Sequence, residues 1–308
     1  MNIEQRRDPT QMADKIIVLI TGCSSGIGLA TAALLGKDSD RRFRVYATMR
    51  DLLDKNKGPL ESAVGGEGAG ILGETLFIRK LDVSKDGDQR GAVDAIIAKE
   101  GRIDVLVNNA GINSWDSTDT PSIETCQEVF DVNFWGVSRM MRAVLPSMKE
   151  RRSGRIINTT SIYTLVCPPF QAYYTASKFA VDGMTQSMAP LLKLYNIWAI
   201  LVQPGIVLTD MTKGLENPIE FVTNTPKMAG FDSVATDAFA YNATREPVQK
   251  MVGAVQVPDQ VASVIKEAVL CEKPKLWYRS SEFVEQVAAS KLVQPEGDGI
   301  YDLLSPKQ

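Results

Sequence analysis

The run Ile16-Ile17-Val18-Leu19-Ile20 constrains the fold of this chain more than any other stretch. A strand with one wet face alternates apolar and polar residues. A continuous apolar run is instead buried on both faces, as in a parallel sheet covered by helices. The pattern recurs: further strands are predicted at 44–48, 76–81, 105–107, 154–160 and 198–203, with a seventh at 275–278. Helical patterning covers 26–36, 88–100, 172–195 and 258–271. A long helix is predicted to follow Thr120-Pro121, with Thr120 as cap and a bend before Pro146, and to run to about residue 151. The stretch 56–73, rich in glycine, reads as a surface loop. This alternation predicts an α/β fold: a Rossmann-type, doubly wound parallel sheet of about seven strands with right-handed crossovers. A single domain is expected over 15–308, behind a polar leader at 1–14. The irregular segment at about 208–251, with Met211, Leu215, Phe221, Met228 and Phe231, reads as core or as a lid over a greasy substrate. A C-terminal extension occupies about 279–308.

Composition narrows the partners. Of 308 residues, 44% are hydrophobic, enough for a large core, and the formal net charge of -3 offers no basic field to nucleic acid. Cys23, Cys126, Cys167 and Cys271 are scattered, with neither metal-ligand nor disulfide-framework spacing. No metal is expected, and a reducing, cytoplasmic setting is the simplest reading. No apolar stretch reaches the roughly 18 residues of a membrane span, and the N-terminus lacks a signal peptide's apolar core. Peripheral membrane attachment stays open.

The turn after the first strand reads Thr21-Gly22-Cys23-Ser24-Ser25-Gly26-Ile27-Gly28. Gly22 permits a tight turn, Gly26 lets a pyrophosphate approach the backbone, and Gly28 lets the following helix pack on the sheet. The helix amides then face the anion. A glycine-rich loop without a ligand is the bland alternative; the flanking strand and helix weigh against it. Dinucleotide sites that prefer NAD place a carboxylate at the end of the second strand. Here Tyr46-Ala47-Thr48-Met49 is followed by Arg50. A guanidinium suits a 2′-phosphate, with Ser24 and Ser25 as further donors, so NADP(H) is the expected cofactor. Asp51 is the competitor: facing the ribose, it would weaken that preference.

Tyr174 and Lys178 stand four residues apart on a predicted helix and share one face. A lysine there is expected to lower the phenol from its usual value of ~10, so that it exchanges a proton near neutral pH. The chain has no histidine to do so. Tyr173 has Ser177, not lysine, four residues on.

With these features placed, the chain resembles the short-chain dehydrogenase/reductase family. The residues that carry the resemblance are Thr21-Gly22-xxx-Gly26-x-Gly28, Leu81-Asp82-Val83, Asn108-Asn109-Ala110-Gly111, Asn133, Ser161, Tyr174-xxx-Lys178 and Pro204-Gly205, in the family's order. Val45 to Leu52, Ala176 to Ala180 and Lys273 to Tyr278 look like the branch holding estradiol 17β-dehydrogenase type 1 and photoreceptor retinol dehydrogenase.

The resemblance implies hydride transfer between NADP(H) and a lipophilic ketone or alcohol, a 17β-hydroxysteroid first and a retinoid second. It implies Tyr174 as general acid or base, Lys178 as its electrostatic partner and holder of the nicotinamide ribose, and Ser161 on the substrate oxygen. Asn133 would hold a water leading to Lys178. Asp82 and Val83 would border the adenine; Ile27, Asn109, Ala110, Gly111, Pro204, Gly205, Val207 and Thr209 would line the cofactor cleft. Val166 would join Ser161 and Tyr174 at the substrate. A homodimer through the helices around 124–148 and 172–194 is implied too. Taken singly, Ser161 reads as a strand end and Asn133 as a satisfied helix polar group. The family's steroid enzyme carries a lid histidine that this chain lacks, and a non-catalytic NADPH-binding regulator remains the competing function.

Overall fold

The computed structural model describes residues 15–65, 70–115, 119, 121–212, 231–244, 250 and 253–291. Seven strands form one sheet: β1 (Ile16–Ile20), β2 (Phe43–Met49), β3 (Leu76–Lys80), β4 (Val105–Asn108), β5 (Gly154–Thr159), β6 (Ile197–Gln203) and β7 (Trp277–Arg279). Their order is β3-β2-β1-β4-β5-β6-β7, and every neighbouring pair is parallel. The order reverses direction between β1 and β4, which opens a crevice at the carboxyl ends of those strands.

The strand register explains the continuous apolar runs. Val18 and Ile20 enter one core layer with α1 (Gly26–Gly36), α2 (Asp54–Val64) and α8 (Pro258–Leu270). Ile17 and Leu19, pointing the other way, enter a second layer with α3 (Asp88–Glu100), α5 (Gly136–Arg151) and α6 (Ala172–Lys193). Both layers are dry, so the strand has no wet face on which to place a polar residue. Truncating a fully buried leucine such as Leu19 or Leu106 costs about 2–5 kcal/mol.

Three local expectations are corrected. The stretch expected to be a loop from residue 56 is helical through Val64, because Leu60 and Val64, four residues apart, are fully buried in the layer that holds α1. Glycine content hid that pair. The long helix is capped by Ser122, whose Oγ accepts from the Thr125 amide at 3.2 Å; Thr120 lies outside the described residues. Its break comes earlier than Pro146. α4 (Ile123–Phe130) passes through a π-helical turn at Asp131–Trp135 into α5, which contains Pro146. Part of the lid is regular: α7 (Ser233–Thr244) is a helix, while Leu215, Phe221 and Met228 lie outside the described residues. So do the leader at 1–14 and the last part of the extension, 292–308; the extension's described part carries α9 (Glu282–Lys291).

Candidate active site

The crevice is a cavity of about 360 Å³, with Ser24, Arg50 and Asn56 among its lining residues as well as Ser161, Tyr174 and Lys178. Every predicted cofactor residue lines it except Gly28. Gly28 serves the packing of the turn instead, since a Cβ there would stand 2.2 Å from the Gly22 carbonyl oxygen and 2.4 Å from Asn109 Nδ2. Gly22, at φ +72, lies in the left-handed region that favours glycine.

The turn is clasped from β4. Asn109 Nδ2 donates to the carbonyls of Thr21 and Gly22, each at 3.0 Å. Thr21 Oγ1 accepts from the amides of Asn109 and Ala110, also at 3.0 Å. Asn109 thus builds the turn as well as lining the cleft. Ser25, the N-cap of α1, makes no side-chain cap bond, so the first amides of α1 stay available to an anion. These features fit a dinucleotide pyrophosphate. Cys23 sits beneath the turn, fully buried, its thiol pushed up to about 12 by burial; it is a packing residue.

At the β2 end, Arg50 is exposed at the cavity wall. Asp51 is turned to other work. Its Oδ1 accepts from the Leu53 amide at 3.1 Å and from Asn56 Nδ2 at 2.5 Å, across the start of α2. The Leu53 amide is the main reason its carboxyl lies below the usual range. Asp82, largely buried, accepts at Oδ1 from the Ser84 amide and hydroxyl, at 3.0 and 2.7 Å.

The proton-handling groups stand at the ends of β5 and the start of α6. Ser161 caps the short helical turn Ile162–Thr164, accepting from the Tyr163 amide at 3.1 Å. Its side chain also favours the ionised form of the Tyr174 phenol. Lys178 donates to the Thr159 carbonyl at 3.0 Å and lies 5.6 Å from the centre of the Tyr174 ring. The expected lowering of the phenol does not occur in this geometry. Burial pushes Tyr174 up to about 12, with Ser161 opposing, and brings Lys178 down to about 8. Both groups are buried, so desolvation decides. At neutral pH the site therefore presents a protonated phenol beside a charged lysine.

Asn133 is buried outside the cavity lining. Its Oδ1 accepts from the Ile112 amide at 2.8 Å, and its Nδ2 donates to the Ile112 carbonyl at 2.9 Å and to Ser177 Oγ at 3.0 Å. The π-helical turn carries it to this position, where it ties the loop after β4 to the tyrosine helix. Val166, predicted at the substrate, is half-buried and is not a lining residue of this cavity. It lies beyond the short helical turn, where its amide bonds the Ile162 carbonyl at 3.0 Å.

An aromatic cluster adjoins the cavity through Trp115. Phe170 stacks on Phe231 at 4.8 Å and meets Phe239 of α7 edge-on at 5.1 Å; Phe239 also meets the cavity-lining Trp115 at 5.8 Å. Of these, only Phe231 stood out in the sequence. Tyr163, edge-on to Tyr174 at 5.9 Å, and Gln171 also line the cavity and were not foreseen. Gln256 was missed as well: its Oε1 accepts from the Gly205 amide at 3.2 Å, and its backbone pairs with Ile206 and Leu208, fixing the loop after β6. No motif announces that residue.

A doubly wound sheet with a glycine turn at its switch point and a Ser-Tyr-Lys wall is the architecture of an oxidoreductase that uses a nicotinamide dinucleotide and acts on CH–OH groups. The model of the short chain dehydrogenase family matches residues 16–220, and the chain belongs to that family. It is 38% identical to retinol dehydrogenase 8 of Bos taurus, over 91% of this chain and 86% of that one. It is 37% identical to 17-beta-hydroxysteroid dehydrogenase type 1 of Homo sapiens, over 92% and 83%. Among solved structures, a variant of actinorhodin polyketide ketoreductase with NADPH superposes with a TM-score of 0.66 at 27% identity, over 83% of this chain and 90% of that one. A short chain dehydrogenase from Burkholderia phymatum in complex with NAD matches in fold, with a TM-score of 0.69 at 21% identity, over 96% and 98%. Among the described residues, no helix is long and apolar enough to cross a membrane, and no cluster of metal-ligating side chains occurs.

Proposed function

We propose that the protein is an NADP(H)-dependent oxidoreductase of a lipophilic ketone or alcohol, with a 17β-hydroxysteroid as first substrate and retinal or retinol as second. The observation that carries the reading is the Ser161-Tyr174-Lys178 group in one cavity with the glycine turn. The bound cofactor supplies or accepts the hydride. Tyr174, protonated at neutral pH, gives its proton to the oxygen of a ketone under reduction. Ser161, lining the same cavity, donates to the same oxygen as charge develops there. Lys178 supplies positive charge beside the phenol and reaches the nicotinamide ribose. Asn133 joins the loop after β4 to the helix of Tyr174 and Lys178, and beside Gly111 it would hold a water leading to that lysine. The aromatic cluster accounts for a greasy substrate. The retinoid reading draws on the 38% identity to retinol dehydrogenase 8.

NADP(H) is supported by Arg50 at the cavity wall and by Asp51's engagement with α2, which keeps the carboxylate next to Arg50 off the ribose. In Arg50→Ala, the ratio of kcat/KM with NADPH to that with NADH is expected to fall about 10–100-fold. An unchanged ratio removes the assignment. Competition between estrone and retinal in the presence of NADPH tests the substrate; turnover of neither places it elsewhere. A cytoplasmic homodimer completes the proposal. The exposed Ile123, Trp135, Leu191 and Leu194 on α4, the π-helical turn and the end of α6 are the apolar surface that supports it.

A further inference from the structure

Gln171 is the residue to which the proposed chemistry gives no role. It immediately precedes α6, lines the cavity, and is 1% exposed. Both its side-chain nitrogen and its oxygen are buried with no hydrogen-bond partner. It does not cap its own helix, although the free amides of that helix are the nearest use for a side-chain oxygen. A buried amide left unpaired costs free energy that a glutamine has no reason to bear unless something else pairs with it. A leucine of similar size would line an apolar pocket without that cost.

Its position says what the partner is. Gln171 lies three residues before Tyr174, whose hydroxyl meets the reacting oxygen. Three residues of helix advance about 5 Å. Both side chains line the same cavity, so a group bonded to the Gln171 amide is placed on the reacting-carbonyl side of the substrate. The amide both donates and accepts, so a hydroxyl or a carbonyl oxygen satisfies it.

We infer that the Gln171 amide, set one helical turn before Tyr174 in the same cavity, holds a second oxygen of the substrate, placed on the carbon next to the reacting carbonyl or one beyond it. The substrate class is thus a lipophilic ketone oxygenated at its α or β position. The inference rests on the carbonyl-reductase reading above and goes beyond its two named substrates, because neither estrone nor retinal carries such an oxygen.

A matched pair of aryl ketones tests this: benzoin, an α-hydroxy ketone, and deoxybenzoin, which lacks only the hydroxyl. With NADPH, the native protein is expected to show kcat/KM about 10–100-fold higher for benzoin. Gln171→Leu is expected to collapse that ratio towards unity, chiefly through KM for benzoin, and Gln171→Asn, one methylene shorter, to keep part of it. Binding of each ketone to the NADP-loaded protein, measured by calorimetry, should show the same preference without turnover. No preference in the native protein by either measurement overturns the inference. So does an equal loss on both ketones in Gln171→Leu, which would mark the glutamine as structural support for α6. Preferential binding of benzoin without turnover would instead sink the reductase reading and leave the Gln171 contact standing.

Discussion

The two walls of the crevice are built differently. The wall at the glycine turn is held by hydrogen bonds: the side chains of Thr21 and Asn109 tie the backbone of Thr21, Gly22, Asn109 and Ala110 together through four bonds of 3.0 Å. The wall at Trp115 is backed by ring contacts: Phe239 meets Trp115 edge-on, and Phe170 packs on Phe231 and Phe239. Directional hydrogen bonds to backbone groups fix geometry whatever substrate arrives. Ring contacts are adaptable in shape and tolerate exchange of one apolar residue for another. A protein built in this way keeps its cofactor and changes its substrate, which accounts for relatives named for both a retinoid and a steroid at 38% and 37% identity.

The division is sharpest where the two walls meet, at Tyr174. Tyr174→Phe should lower kcat about 10²–10⁴-fold while the NADPH dissociation constant changes little. Stopped-flow turnover and fluorescence titration read the two quantities. Residual activity near the native level would mean that the phenol does not move the proton. On the hydrogen-bonded wall, Gly28→Ala puts a methyl against the Gly22 carbonyl and should weaken NADPH binding more than about 100-fold. Binding within a few-fold of native would show that the clasp is softer than its bonds imply.

On the side-chain wall, Phe239→Ala should cost about 3 kcal/mol of stability and raise the KM for a lipophilic ketone about tenfold. NADPH affinity should stay unchanged. A large loss of NADPH affinity would mean that the two walls are not independent. The smallest effect concerns Lys178, whose folded value of about 8 lies below the ~10.4 of an unfolded lysine. Between those values the unfolded chain keeps the proton that the folded chain has released. Stability from this group therefore rises with pH from about 8 to 10, by about 1–2 kcal/mol, and is flat below 8. Tyr174, raised to about 12, acts in the opposite sense only above ~10. Urea unfolding of the native protein and Lys178→Met across that range measures the difference, and identical slopes would contradict the burial of the ammonium.

The same division governs what the sequence made legible. The strands and the glycine turn announce themselves because backbone constraints restrict residue type: apolar on both faces of β1, glycine where a Cβ collides. Tyr174 and Lys178 were visible from spacing, but their electrostatics were not, because burial of both groups depends on strands far away in sequence. α2 was masked by its glycines, since only Leu60 and Val64 tie it to the core. The aromatic cluster joins residues 115, 170, 231 and 239, and no local pattern links positions so far apart. Gln256 is a solitary glutamine whose role exists only once two loops have met.

The π-helical turn at Asp131–Trp135 holds one residue more than a regular helix needs. Each helical residue turns the chain by about 100°, so the surplus sets α4 and α5 out of phase with each other. Deleting one residue just before Asn133 would let the helix anneal into an unbroken rod, better bonded than before. It would also swing the asparagine away from Ile112 and Ser177. A single-codon loss could thus yield a protein harder to unfold and unable to hold its tyrosine helix in place, a trade in which sturdiness and activity pull on the same residue.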